Sequence, residues 1–359
     1  LVQTEDYAQA DELFTSDYAY FSSTSASWLR HAEQYTQDMI ARLNLGKNSL
    51  VIELACNDGY LLKNFVAADV PCLGIEPTDA TASAAEQLGV PVLREFFGEQ
   101  TALRLVAQDR QADLLIGNNV YAHVPDINDF TCGLKAMLKP GGTITLEFPH
   151  LLRLIEQNQF DTVYHEHFSY LSLGTVSRIF QTAGLRVWHV EQLTTHGGSL
   201  RMFGCHSDDS RENTPVVYEL LEEEKRNGLQ ELAAYQGFQH RADRIKNDLL
   251  TFLIEQKKAG KKVAGYGAAA KGNTLLNYAG VRPDLLPFVC DAAPSKQGKY
   301  LPGSRIEILE PSALKVYNPD CVLILPWNLK DEIMYQLSSK SQLGSSFVTA
   351  VPELTVIKG

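Results

Sequence analysis

The sequence predicts an α/β fold in which two sheet-forming domains are joined by a helical connector. Short apolar runs alternate with helical runs from Ser49 onward, a pattern typical of doubly wound sheets. The alternation stops near residue 206 and resumes near residue 262. We therefore expect a helical N-terminal segment at 1–45, a larger α/β domain at 46–206, a helical connector at 207–258 and a smaller α/β domain at 259–359.

Composition excludes several classes of partner. The 359 residues are enough for two cores, and 45% hydrophobic with 21% charged residues is ordinary for a globular protein. A balance of 32 basic against 43 acidic residues gives a net charge of −11, which disfavours nucleic acid and anionic membranes as partners. The six cysteines form no C-x-x-C pair. We expect reduced thiols in a cytoplasmic protein without a metal.

Seven strands are predicted in the larger domain. The last two flank Thr194–Gly198, which has the composition of a hairpin loop. A Pro140-Gly141-Gly142 turn leads into the fifth. The predicted strands are 50–54, 71–76, 90–93, 113–118, 142–148, 185–191 and 199–205.

The end of the first strand is the predicted ligand site of this domain. Residues 51–59 are an apolar run that ends in small residues, and doubly wound sheets bind ligands at such strand ends. Glu76 closes the second strand and is suited to bind both hydroxyls of a ribose. The turn lacks the Gly-x-Gly-x-x-Gly pattern that holds a dinucleotide pyrophosphate. A nucleoside without phosphates fits better, and S-adenosylmethionine is the common one.

Residues 214–258 are predicted to form one or two long helices with a packing role. The apolar residues Val216, Leu220, Leu221, Leu229 and Leu232 recur at helical spacing, and residues 222–225 are expected to face solvent.

The first strand-like run of the smaller domain begins at residue 262, and further strands are predicted at 287–290, 321–325 and 347–350. Its first turn, 265–272, contains small residues and Lys271. Backbone amides there can approach an anion, and the lysine adds a counter-charge. The alternative is a tight packing turn without a ligand.

Histidines on loops indicate proton chemistry. Two of them lie in Tyr164-His165-Glu166-His167 after the fifth strand, His123 follows the fourth, and His196 lies in the hairpin loop. A histidine titrates near neutral pH and can take a proton from a weak carbon acid. Each of them singly could instead be structural. A metal site is the weaker alternative, because alkyl transfer to carbon needs a base more than a Lewis acid.

Six motifs together resemble the nucleotide-sugar C-methyltransferases that make branched deoxysugars. The matching stretches are 53–59, 118–125, 164–167, 196–201, 265–271 and 291–297. The resemblance implies a class I methyltransferase domain of Rossmann-like fold, which binds S-adenosylmethionine and releases S-adenosylhomocysteine. It also implies a second Rossmann-like domain, with a nucleotide sugar, dTDP-linked by expectation, in the cleft between the two.

The resemblance assigns roles to individual residues. His167 would be the general base, Tyr164, Glu166 and His123 would line the sugar, and Tyr18 would approach from the N-terminal segment. The residues expected to bind the cofactor are Glu53, Ala55, Asn57, Gly59, Glu76, Pro77, Phe97, Asn118 and Asn119. Those expected to bind the substrate are His196, Arg201, Tyr266, Gly267, Lys271 and Lys296.

The sequence departs from the family in two places. Ala55 stands where the family usually has glycine, so the turn is expected to lie slightly farther from the cofactor. The family's cysteine-based zinc module has no counterpart here, and Leu1–Gln3 is expected to correspond to the point just after it.

The expected reaction is removal of a proton next to a sugar ketone, followed by methylation of that carbon. An O- or N-methyltransferase acting on a sugar is the nearest alternative. A nicotinamide-dependent sugar oxidoreductase would use the 265–272 turn together with Asp291. A binding module without catalytic activity is the third alternative.

Overall fold

The protein is described by a computed structural model that covers residues 1–5, 10–13, 21–341 and 344–358. Tyr18 lies outside the described residues. The strands, in chain order, are β1 (Val2–Gln3), β2 (Val51–Leu54), β3 (Cys72–Ile75), β4 (Val92–Leu93), β5 (Ala112–Asn118), β6 (Leu138–Pro149), β7 (Ser169–Tyr170), β8 (Leu185–Leu193), β9 (Ser199–His206), β10 (Val263–Tyr266), β11 (Phe288–Cys290), β12 (Glu307–Leu309), β13 (Cys321–Ile324), β14 (Ser346–Thr349) and β15 (Thr355–Ile357). The α-helices are α1 (Ala10–Leu13), α2 (Ala26–Leu43), α3 (Leu62–Ala67), α4 (Asp79–Gln87), α5 (Glu99–Val106), α6 (Ile127–Met137), α7 (Leu151–Glu156), α8 (Leu173–Thr182), α9 (Pro215–Arg226), α10 (Phe238–Lys258), α11 (Ala270–Ala279), α12 (Ala313–Tyr317) and α13 (Lys330–Ser341).

The chain divides into two compact units, and their borders differ from the expected ones. The first unit contains residues 1–151 and 165–230, and the second contains residues 152–164 and 231–359. A stretch of the larger predicted domain thus belongs to the second unit, and the expected connector is divided between the units.

The first unit is built on a seven-stranded sheet in the order β4-β3-β2-β5-β6-β9-β8. The five strands from β4 to β6 are parallel, and β9 and β8 add an antiparallel hairpin at one edge. Strand β2 is buried along its whole length, as expected for a parallel strand covered on both faces. All seven predicted strands are confirmed, and the carboxyl ends of β2, β3 and β5 come together at one edge of this sheet.

The second unit has a six-stranded sheet in the order β12-β11-β10-β13-β14-β15. Its first five strands are parallel and β15 is antiparallel. The sequence analysis located β10, β11, β13 and β14 but missed β12 and β15, which have only three residues each. Both are edge strands that are not fully buried, so neither shows the continuous apolar run that marks the buried strand β11, which has the same length.

The described N-terminal segment includes a strand that was not expected, whereas the connector forms two long helices as predicted. Residues 2–3 form a strand that pairs with β7, and the long N-terminal helix begins only at Ala26. The connector contains α9 and α10, but Leu229 and Leu232 lie between them. Gly228 has φ +73 and ends the helical path, so Leu232 is 77% exposed.

Glu224 was expected to face solvent, and this prediction is wrong. The side chain is buried, and its oxygens accept hydrogen bonds from the backbone amides of Leu173 (2.6 Å) and Gly174 (2.8 Å). It also pairs with His150 at 2.8 Å. A carboxylate is favourable at a helix N-terminus because the first amides there lack partners within the helix. Glu224 of α9 therefore caps α8.

A buried charge network ties α2 to the antiparallel edge of the first sheet. Glu147 of β6 lies opposite Arg201 of β9, and their side chains pair at 3.0 Å. His31 of α2 contacts the same carboxylate at 3.0 Å, and the Thr195 hydroxyl donates to its other oxygen at 2.9 Å. Burial acts to raise the pKa of Glu147, but the bond with His31 and the charge of Arg201 outweigh it and hold that pKa below its usual range.

Replacing Arg201 with methionine should destabilise the first unit. The change leaves the Glu147 carboxylate buried without its main counter-charge, which costs about 3 kcal/mol or more. For a unit of this size, that lowers the midpoint of thermal unfolding by roughly 6–12 °C. The matched control is Arg42→Met, because Arg42 pairs with Glu191 where both side chains are about one third exposed. The control should lose no more than about 1 kcal/mol. Equal thermal midpoints for the two variants would contradict the proposed contribution of the buried ion pair to stability.

Candidate active site

The turn after β2 is shaped by three residues with left-handed backbone. Ala55 has φ +54, Asn57 has φ +51 and Gly59 has φ +74. A side chain at Gly59 would lie 3.0 Å from the backbone of Ala85, so glycine is required there for packing as well as for conformation. Ala55 adopts the conformation that glycine would take more easily, at a cost of about 1 kcal/mol.

Glu76 is a fixed part of this turn. One carboxylate oxygen accepts from the amide of Asn57 at 2.9 Å. The other accepts from the amide of Thr78 at 3.0 Å and from its hydroxyl at 2.5 Å. A carboxylate offers about four acceptor positions, so about one remains for a ribose hydroxyl. The expectation that Glu76 binds both hydroxyls would require Thr78 to release its bond.

The segment before α2 is attached to the same turn, which the sequence did not reveal. The amide of Ser22 donates to the side-chain oxygen of Asn57 at 2.9 Å, and the amide of Ser23 donates to Asp58 at 3.0 Å. Two neighbouring side chains of the turn thus hold two neighbouring backbone amides, and this holds the chain beside the end of β2. No motif could have signalled this contact, because the serines contribute only backbone groups.

Three carboxylates gather at the ends of β2 and β3. Burial raises the pKa of Glu53 well above its usual range, the charges of Asp58 and Glu76 add to that rise, and the side chain of Tyr60 opposes it. Like charges in one buried place make the charged form costly. A positively charged ligand would relieve this cost, whereas a pyrophosphate would add to it.

Unpaired polar atoms lie at the same strand ends. Among the described residues, both amide atoms of Asn118 and one oxygen of Asp58 are buried without a partner. The next residue, Asn119, has φ +53 and its amide side chain lies 3.2 Å from His196. Buried polar groups are normally satisfied, so Asn118 and Asp58 mark where a polar ligand would bind.

Two further predicted cofactor residues, Pro77 and Phe97, lie in the same unit. Pro77 is half-buried directly after Glu76. Phe97 packs edge-on against Phe130 of α6, with ring centroids 5.1 Å apart. Neither carries a polar group toward a ligand, and their predicted role stays a prediction.

His123 and His167 form an edge-to-face pair, with ring centroids 4.7 Å apart. His167 is buried and His123 is half-buried. The chain segments that carry them are joined by a 2.9 Å bond from the amide of Phe168 to the carbonyl of Ala122. Thr4 holds the other side, because its hydroxyl donates to the carbonyl of His167 at 3.2 Å. Burial lowers the pKa of His123 to about 4. His123 is therefore neutral at pH 7.

The structure separates the remaining predicted residues. Glu166 is half-buried in the first unit beside His167, whereas Tyr164 belongs to the second unit. His196 is half-buried and packs edge-on against Trp28 at 5.2 Å. Arg201 is 5% exposed and forms ion pairs with Glu147 and Glu191 within the sheet. Its engagement there favours a structural role over the predicted contact with substrate.

The predicted anion turn of the second unit is largely closed on itself. Gly267 has φ +94, and a side chain there would lie 2.3 Å from Pro326. Asp291 accepts from the amide of Ala268 at 2.7 Å, and Lys296 donates to the carbonyl of the same residue at 3.0 Å. Asp291 and Lys296 therefore brace the turn. Tyr266 is buried at the end of β10.

Lys271 lies at the start of α11, one turn from this brace. Its ammonium group lies 5.0 Å from the ring centroid of Trp327 and 3.5 Å from the side-chain oxygen of Asn328. Lys271 and Lys296 are the two predicted substrate-binding lysines of this unit, and Lys271 is the one that lies in the first turn of a helix.

The described part of the chain has neither a metal-binding cluster nor a membrane-spanning helix. It contains no group of three or more histidine, cysteine or acidic side chains arranged to hold a metal ion. No helix within it is both long and apolar enough to cross a bilayer.

Comparison with known proteins identifies the family. Residues 194–352 match the model of the C-methyltransferase C-terminal domain, and residues 28–190 match a methyltransferase domain. The C-methyltransferase NovU of Streptomyces niveus is 35% identical over 349 residues, which cover 97% of this chain and 83% of that protein. The chain belongs to the C-methyltransferase family. It is an S-adenosylmethionine-dependent methyltransferase, as predicted.

Solved structures with similar folds are also methyltransferases. Magnesium protoporphyrin IX methyltransferase of Synechocystis, with S-adenosylmethionine bound, is 14% identical and has a TM-score of 0.40 over 57% of this chain and 100% of that chain. A putative sarcosine dimethylglycine methyltransferase of Galdieria sulphuraria is 13% identical, with a TM-score of 0.41 over 51% of this chain and 87% of that chain.

The residues of this C-methyltransferase fit its cofactor. S-Adenosylmethionine carries a net positive charge, and the acids at the ends of β2 and β3 supply the opposite sign. The unpaired atoms of Asn118 and Asp58 offer a donor and acceptors for its polar groups. The remaining acceptor position of Glu76 suits one ribose hydroxyl.

Replacing Glu53 with glutamine should stabilise the protein without ligand. A carboxyl group whose pKa is raised by folding contributes less to stability as the pH rises above its ordinary value of about 4.3. The thermal midpoint of Glu53→Gln should therefore exceed that of the wild type at pH 7–8, and the difference should shrink toward pH 5.

Preference for cationic S-adenosylmethionine over neutral S-adenosylhomocysteine should fall in the same variant. Glu33→Gln, on the exposed face of α2, is the matched control and should change neither quantity. A midpoint of Glu53→Gln below the wild type at pH 8 would contradict this account.

Proposed function

We propose that this C-methyltransferase methylates a carbon next to the ketone of a nucleotide sugar, with His167 as the general base. The observation that supports this most strongly is the edge-to-face contact between His123 and His167. Burial keeps His123 neutral, so its charge does not oppose the arrival of a proton on His167. In this pair His167 can act as the base while the neutral ring of His123 donates a hydrogen bond.

The proton transfer sets the task of each residue. A carbon acid next to a ketone is too weak to ionise in water at neutral pH, and a positioned base typically contributes about 10²–10⁴-fold to its ionisation. The negative charge that develops on the ketone oxygen needs a donor, which neutral His123 can supply. A donor of this kind contributes about 3–4 kcal/mol. S-Adenosylmethionine supplies an electrophilic methyl group, which the substrate carbon accepts.

The substrate class rests on chemistry in both units. C-methylation of a sugar needs a carbonyl to acidify the carbon, which favours a keto sugar. The cationic Lys271 at the start of α11 suits the diphosphate that a nucleotide sugar carries. A dTDP-linked sugar is the specific substrate we propose. O-Methylation of a hydroxyl could use the same base, but no negative charge would develop on a ketone oxygen, so it would leave the donor His123 without a role.

Replacing His167 with asparagine should abolish turnover and leave cofactor affinity nearly unchanged. The informative measurement is deuterium uptake by candidate dTDP-4-keto sugars, incubated with enzyme and S-adenosylhomocysteine in D₂O and analysed by mass spectrometry. The wild type should exchange hydrogen at one carbon, and His167→Asn should not. His240→Asn makes the same change at an exposed position of α10 and should exchange as the wild type does.

Near-wild-type exchange by His167→Asn would refute the base assignment. Methyl transfer by the wild type without any exchange in the panel would favour an oxygen or nitrogen acceptor instead.

Replacing His123 with phenylalanine tests the donor role separately. The ring volume and the edge-to-face contact with His167 are retained, but the N–H group is lost. We expect kcat to fall by about 10²–10³-fold, while the affinity for S-adenosylhomocysteine stays within about threefold of the wild type on calorimetry. A kcat within a factor of three of the wild type would show that another group meets the developing charge.

A further inference from the structure

The segment 152–164 places one acidic side chain in the interior of the second unit. Its 3₁₀ helix, Phe160–Thr162, is buried throughout. Phe160 belongs to the apolar core of that unit and packs against Tyr278 of α11, with ring centroids 5.1 Å apart. Asp161, the next residue, is completely buried. The segment therefore packs against α11, the helix that carries Lys271 in its first turn.

Asp161 has only part of its hydrogen-bonding capacity satisfied. One oxygen accepts from the indole N–H of Trp327 at 2.8 Å, and the other has no partner among the described residues. Burial raises the pKa of Asp161 to about 6, while the charge of Lys271 acts against that rise. Burying a carboxylate costs free energy unless a nearby cation compensates its charge. Lys271 is the cation that interacts electrostatically with Asp161.

Trp327 joins Asp161 to Lys271. Its N–H binds Asp161, and its ring lies 5.0 Å from the Lys271 ammonium group. The same residue follows β13, which neighbours β10 in the sheet, so the group lies at the carboxyl ends of two adjacent parallel strands. Anionic ligands of α/β sheets bind at such ends and at helix N-termini. Burial lowers the pKa of Lys271 and Asp161 opposes that change.

We infer that Asp161 is a positioning residue that keeps Lys271 charged and oriented toward the diphosphate of the substrate. The inference rests on the proposed nucleotide-sugar substrate and assigns a role to a residue that no motif marked. Asp161 is too deeply buried to meet the diphosphate, so it acts through Lys271. It supplies the counter-charge that offsets the removal of the lysine from water.

A double-mutant cycle on binding of thymidine 5′-diphosphate, measured by calorimetry, tests this role. Lys271→Met should weaken binding by about 10- to 100-fold and Asp161→Asn by about 5- to 20-fold. If Asp161 acts through Lys271, the double variant should bind no more weakly than Lys271→Met alone. A purely structural role would make the two losses multiply. Asp248→Asn, an exposed change of the same charge in α10, should bind as the wild type does.

The opposite outcomes are distinct. Removing a negative charge near an anion site would tighten binding if Asp161 acted only through its own field, so equal or tighter binding by Asp161→Asn overturns the inference. Wild-type enzyme that does not bind the diphosphate overturns the proposed substrate, and the inference with it. Affinity for S-adenosylhomocysteine reports whether each variant is folded. If Asp161→Asn does not fold, Trp327→Phe removes the same hydrogen bond and should weaken binding several-fold; unchanged binding in that variant overturns the inference.

Discussion

The buried pair between Glu147 and Arg201 is the interaction on which the architecture of the first unit depends. It joins β6, the last parallel strand, to β9, the first strand of the antiparallel edge. Its carboxylate also binds His31 of α2 and Thr195 of the hairpin loop. One charge therefore fixes a helix, a strand pair and the loop that carries His196. Because each partner is needed to satisfy the others, the network can form only when all four elements are in place.

Electrostatics divides the chain into two sites of opposite character. The first unit concentrates carboxylates at the ends of β2 and β3, where a cationic ligand lowers their mutual repulsion. The second unit presents Lys271 at a helix N-terminus, supported from behind by the buried Asp161. The acidic site of the first unit favours the cationic cofactor, and Lys271 favours the diphosphate of the proposed substrate.

Much of the fold follows from the sequence, because apolar runs bounded by small residues mark parallel strands well. The same logic placed His123 and His167 on loops that the structure brings into contact. Arg201 was misleading, since an arginine after Gly-Gly-Ser-Leu gives no sign of the glutamate opposite it in another strand. Glu224 was misjudged because it lies in an acidic run that is otherwise exposed. Asp161 was missed because its surroundings come from residues more than a hundred positions away.

The path of the chain through residues 152–164 has a consequence for how this protein can be divided. The segment lies in sequence between β6 and β7, which belong to the first unit, yet it packs in the core of the second unit. No single cut can yield two complete halves. A fragment ending near residue 230 would carry Phe160 without the core it fills, and the matching fragment would have a cavity in place of that ring. The two units therefore have complete cores only when they are expressed as one chain.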